Sequence, residues 1–152
     1  MIRTRISPAL ILPIAAFVFV TMTAVSAQDP PKSTVKDGVY SKAQAESGKA
    51  LYTKVCAKCH LFKTEPNEEA PALGGENFFK TWEGRSVYEL ATQIKTAMPP
   101  DGSVTLTDDD TANAIAFILQ TNGFPDGGDK ALKTDATSKN INIVKPAAAH
   151  RP

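Results

Sequence analysis

Histidine, cysteine and methionine are scarce in this 152-residue chain, at two, two and three residues, and tryptophan occurs once. The scarcity excludes whole classes of protein. Two cysteines cannot form the framework of a disulfide-stapled secreted scaffold. Together with two histidines, one of them two positions from the carboxyl end, they make a poor four-ligand zinc site. The apolar run at 9–20 is shorter than the roughly 20 residues that span a bilayer. A surplus of one charge is missing as well, with 17 Lys+Arg against 16 Asp+Glu. Over 41–128 there are eight Lys+Arg and twelve Asp+Glu, a net of −4, whereas 129–152 carries a net of +3. A basic nucleic-acid footprint is therefore absent, and so is the lysine ring of a carrier that docks on acidic partners.

What is present begins with Arg3 and Arg5, then the apolar run, then small residues ending Val25-Ser26-Ala27. This pattern predicts a cleavable signal peptide over 1–27 and a periplasmic product with no stable membrane span, an uncleaved anchor being the alternative. No cysteine near the cleavage point offers a lipid attachment site. Residues 28–40 read as a flexible leader, 41–128 as one domain, and 129–152 as a partly disordered tail in which Ile141-Asn142-Ile143-Val144 has the pattern of a short strand or a docking segment.

Within the domain, helical signals recur three times. Ser41 with Gln44, and Ser86 with Glu89, have the spacing of capping boxes. Thr107 precedes Asp108, Asp109 and Asp110, which suit the positive end of a helix dipole. Ala45, Gly48, Leu51, Tyr52 and Val55 share one helical face, as do Val87, Leu90, Ala91, Ile94 and Met98. A third stripe contains Ala112, Ile115, Ala116 and Leu119. Gly48 costs helix stability by itself, so its expected gain is a close crossing by another helix. Residues 61–85 contain Pro66, Pro71, Gly74, Gly75 and Gly84 and read as a long loop that wraps something.

The two cysteines stand in Cys56-Ala57-Lys58-Cys59-His60, the attachment signature of a c-type haem. Two thiols at this spacing match the two vinyl groups on one porphyrin edge, and the histidine that follows offers a nitrogen to the iron. Three short helices bury too little apolar surface to be comfortable alone, and one covalent haem c would complete the core.

Scarcity then narrows the second iron ligand. Outside 1–27 the chain has one methionine, Met98, and apart from His60 one histidine, His150. The sixth position falls to Met98, His150, a lysine or nothing. Met98 is favoured because Pro99 biases its backbone towards the extended region at a helix end, where the side chain can be held in one direction. His150 would require the ordering of a polar tail. A thioether opposite an imidazole raises the reduction potential relative to two imidazoles. Two strong ligands also close the iron to substrates and leave electron exchange.

Gly48, Tyr52, the Cys56–His60 signature, Pro71-Ala72-Leu73-Gly74, Ala97-Met98-Pro99-Pro100 and the last amphipathic helix together resemble a class I monohaem cytochrome c. The resemblance covers 41–128. It implies an all-α cytochrome c fold of three main helices and long loops around the haem, with the first and last helices crossing at Gly48. It further implies that the Pro71 carbonyl accepts the second ring proton of His60 and that Leu73 packs on the haem. By the same analogy Trp82 donates to a haem propionate with Arg85 nearby, plain core filling being the alternative. The run Phe117-Ile118-Leu119-Gln120-Thr121-Asn122-Gly123-Phe124-Pro125 is similar to the end of small cytochromes that accompany periplasmic quinoprotein alcohol dehydrogenases. The implied partners are such a dehydrogenase and a terminal oxidase, and the implied role is a single-electron carrier rather than an enzyme.

Rival readings are a thiol oxidoreductase using Cys56 and Cys59, a haem peroxidase or gas sensor with an open sixth position, and a haem c subunit docked in a larger oxidoreductase. The first would place the cysteines at a strand-to-helix turn, whereas here a predicted helix precedes them.

Overall fold

Helices start where the expected caps stand. In the computed structural model, which describes residues 32–60 and 70–146, Ser41 Oγ accepts from the Gln44 amide and Gln44 Oε1 accepts from the Ser41 amide, both at 3.2 Å, opening α1 at Lys42–Lys54. Ser86 and Glu89 make the same reciprocal pair ahead of α3, Val87–Ala97. Thr107 and Asp110 make it ahead of α4, Asp108–Thr121. Each box satisfies amides that the first helical turn would otherwise leave open.

The packing frame is the crossing of α1 and α4. A Cβ on Gly48 would lie 2.9 Å from the Phe117 Cβ and closer still to the Asn113 main chain, so the two backbones meet where glycine allows it. The Tyr52 and Phe117 rings pack beside the crossing with centroids 5.2 Å apart. Helix α4 is buried nearly all round: Thr111, Ala112 and every residue from Ala114 to Leu119 are in the interior. A single stripe was expected, and the helix in fact faces neighbours on several sides.

Helices dominate, as an all-α cytochrome c fold requires, but three expectations need correction. The connection 61–85 contains a helix of its own, α2 at Gly75–Trp82. Phe78, Phe79 and Trp82 bury its inner side, and of the glycines that read as loop formers Gly74 caps its start and Gly75 is its first residue. Residues 61–69 lie outside the described residues.

The leader, expected to be flexible over 28–40, is part of the domain from Lys32 onward. Val35 and Tyr40 are core residues, and the Tyr40 hydroxyl donates to the Phe124 carbonyl at 2.7 Å. Gly38 approaches Gly127 so closely that a Cβ on Gly127 would sit 2.1 Å from the Gly38 carbonyl oxygen.

The tail also packs on the domain over its described part, up to residue 146. Leu132, Ser138 and Ile143 are buried. Strand β1, Ser33–Thr34, pairs in parallel with β2, Ile141–Asn142. Ile143 exchanges backbone bonds with the turn before α3, accepting from Gly84 and donating to Arg85, each at 2.8 Å. The signal expected over 1–27, and His150, lie outside the described residues. Among those described, no helix is long and apolar enough to cross a membrane.

Candidate functional site

Helix α1 ends at Lys54 and the chain tightens into a 3-10 turn at Cys56–Lys58, from which the His60 amide donates to the Cys56 carbonyl at 2.8 Å. This turn places Cys56, Cys59 and His60 on the wall of one cavity of about 360 Å³, within the range of small-molecule and cofactor sites. Leu73, Trp82 and Met98 lie on the same wall, as does Pro71. All seven residues singled out in the sequence therefore line one space, although they span more than forty positions of chain.

His60 is held at both ends. Its ring Nδ1 lies 2.8 Å from the Pro71 carbonyl oxygen. A carbonyl can only accept, so Nδ1 carries a proton, and in the neutral ring the lone pair lies on Nε2. This is the arrangement that orients a metal-binding imidazole. The His60 main chain is fixed by the Tyr52 hydroxyl, which donates to the His60 carbonyl. Burial, with Cys56 nearby, pushes the Tyr52 phenol up to about 12, so it remains a donor at any working pH.

Met98 caps the carboxyl end of α3. Its backbone is extended, at φ −126° and ψ 138°, and its amide still donates to the Ile94 carbonyl. Helix continuation is blocked by Pro99 and Pro100, so the thioether leaves the helix axis at its last turn. The Pro99-Pro100 pair and Leu106 continue the wall.

Trp82 is buried in the hydrophobic core, as the packing alternative expected, and it also borders the cavity. The Arg85 guanidinium carbon lies 4.6 Å from the Trp82 ring centroid, a cation–π geometry, and Arg85 pairs with Glu89 at 3.1 Å. The remaining wall is mainly apolar. Phe78, Leu90, Ala114 and Ile118 come from α2, α3 and α4, and none of them stood out in the sequence from other core positions.

The donor set fits an iron porphyrin. It combines an imidazole with a defined lone pair, a soft thioether, two unbridged cysteines three residues apart and a mostly apolar wall. It fits a thiol oxidoreductase less well. The cysteines follow a helix and not a strand, and burial pushes the Cys56 thiol up, opposite to the low value of a redox-active thiol. Among the described residues no group of three or more His, Cys, Asp and Glu could hold a metal ion.

Two contributors escaped the sequence reading. Asn122 binds the loop that carries Leu73, and Tyr52, expected for packing alone, also holds the His60 carbonyl. Tyr52 sits one helical turn ahead of the signature, a signal that could have been read. Asn122 had none beyond its position at a helix end.

A family model described as cytochrome C oxidase, cbb3-type, subunit III matches residues 43–118. No curated protein and no solved structure matches the chain.

Proposed function

The chain belongs to the family of c-type cytochrome domains that this model describes, and we propose that it is a periplasmic single-electron carrier holding one covalent haem c. Membership implies haem-based electron transfer with redox partners. The observation that carries the finer reading is the convergence of Cys56, Cys59, His60 and Met98 on one cavity.

Haem c, when bound, supplies an iron that changes its charge by one electron. The residues around it hold, orient and exclude. Cys56 and Cys59 are placed to make the two thioether links. His60 offers Nε2, because Nδ1 is committed to Pro71. Met98 offers the second ligand, and its softness favours the reduced metal. Phe78, Leu90 and Ile118 keep water from the wall, and the low dielectric disfavours extra charge there. Trp82 and Arg85, which line the cavity, would offer N–H donors to carboxylates of the prosthetic group.

The signal pattern at 1–27 supports export to the periplasm. A dehydrogenase as donor and a terminal acceptor complete the role. The matched family's description names an oxidase subunit, which favours one second reading, a haem c subunit docked in a larger oxidoreductase. The size of the native assembly distinguishes the two, a free carrier eluting as a small monomer.

The direct experiment is the absorption spectrum of the purified, denatured protein in alkaline pyridine. A thioether-linked haem spectrum is expected. Colourless, correctly exported protein with both thiols open to alkylation would reject the function.

A further inference from the structure

We propose that Asn122 is a positioning residue for His60, acting through the loop that carries the Pro71 carbonyl; the inference rests on His60 being an iron ligand. Asn122 caps the carboxyl end of α4, and its side chain makes three hydrogen bonds. Nδ2 donates to the Leu73 carbonyl at 2.9 Å and to the Ile118 carbonyl at 2.8 Å, while Oδ1 accepts from the Gly75 amide at 2.9 Å. One amide thus ties the end of α4 to both sides of Gly74.

The tied segment has no regular structure between Ala70 and Gly74, and Pro71 lies two residues before the first bond. The Pro71 carbonyl is the acceptor for His60 Nδ1. Donor and acceptor of that bond are therefore held by different helices. Helix α1 holds the histidine, through the Tyr52 hydroxyl on the His60 carbonyl. Helix α4 holds the acceptor, through Asn122 on the 73–75 turn. The crossing at Gly48 keeps the two helices in register, so the length of the His60–Pro71 bond is set by the pair of clamps.

A tight Nδ1–H bond makes Nε2 a stronger donor to a metal. Releasing the loop should lengthen the bond, weaken the donor and destabilise the oxidised iron relative to the reduced one. The potential should then rise.

The test uses the full-length holoprotein. Asn122→Leu removes all three bonds at similar volume, and Asn122→Asp keeps the acceptor for Gly75 while losing the donor to Leu73. Thr121→Ala, on the adjacent residue, removes only the Thr121 hydroxyl bond to the Phe117 carbonyl and controls for general loosening. Two readouts are taken, the reduction potential and the exchange of the His60 ring proton by NMR. Asn122→Leu should speed exchange severalfold, because the loosened loop opens the His60–Pro71 bond more often, and raise the potential. Asn122→Asp should fall between it and wild type, and Thr121→Ala should move neither. Should Asn122→Leu fail to fold, Asn122→Asp decides alone. Unchanged exchange and potential in a folded variant, or an equal shift in Thr121→Ala, would overturn the proposal. Wild-type protein lacking attached haem would instead remove the functional reading, and ring-proton exchange would still decide whether Asn122 clamps the loop.

Discussion

A Cβ built on Gly48 would lie 1.8 Å from the carbonyl oxygen of Asn113, so α1 and α4 touch backbone to backbone. Gly48→Ala tests which of two opposing effects wins. Alanine gains about 1 kcal/mol in helix propensity, whereas forcing a methyl into a backbone contact costs about 3 kcal/mol. Net destabilisation is expected, read as a lower denaturation midpoint with an unchanged denaturant dependence. A stabilised variant would mean that the helices separate without cost.

Met98→Ala should leave haem attached, because Cys56 and Cys59 make the links, while lowering the potential and abolishing the iron–sulfur charge-transfer absorption. The reduced variant should also bind carbon monoxide, which wild type should resist. Survival of the absorption band would move the sixth ligand away from Met98.

Ile143 is fully buried and lies just beyond β2. Ile143→Ala should cost about 2–5 kcal/mol, the range for truncating a large core aliphatic, measured by equilibrium unfolding of the holoprotein. Deletion of 129–152 should accordingly unfold the domain. A deletion product with wild-type stability would show that the tail is only laid on the surface.

Acid should weaken the start of α4 through a single carboxylate. Hydrogen bonds from the Thr107 hydroxyl and amide hold Asp110 below its ordinary value of 3.8. The depressed value means that the ionised form contributes stability that is complete above about pH 4 and is lost as pH falls through the folded value. Asp110→Asn should be less stable than wild type at neutral pH, and the two should converge on acidification. Unfolding midpoints taken from neutral pH down to about 2 check this; a constant gap would exclude the linkage.

How much of this was legible depends on how far each interaction reaches along the chain. The capping boxes at Ser41 and Ser86, the cap at Thr107, the helical stripe of α1 and the haem signature all involve residues within a turn or so of one another. The extended backbone at Met98 follows from the proline beside it. Helix α2 was missed because Gly74 and Gly75 announce a loop, and the side chains that overrule them, Phe78, Phe79 and Trp82, act only once the core exists. The leader and tail were misread for the same reason. Val35 and Leu132 are isolated apolar residues in polar surroundings, and the run from Ile141 to Val144 reads as a strand but is too short to show which of its residues is buried.

The residue order alone narrowed which groups could serve an iron, since scarcity left one cysteine pair, His60 and, for the sixth position, Met98, His150, a lysine or nothing, and short-range chemistry set where the main helices begin and end. Tertiary structure decided which of those groups share a cavity and what holds them there. Asn122 meets Leu73 across 49 positions and Gln44 meets Leu132 across 88. Such contacts depend on helix crossings and chain closure, whose entropy is offset only when the whole core forms together.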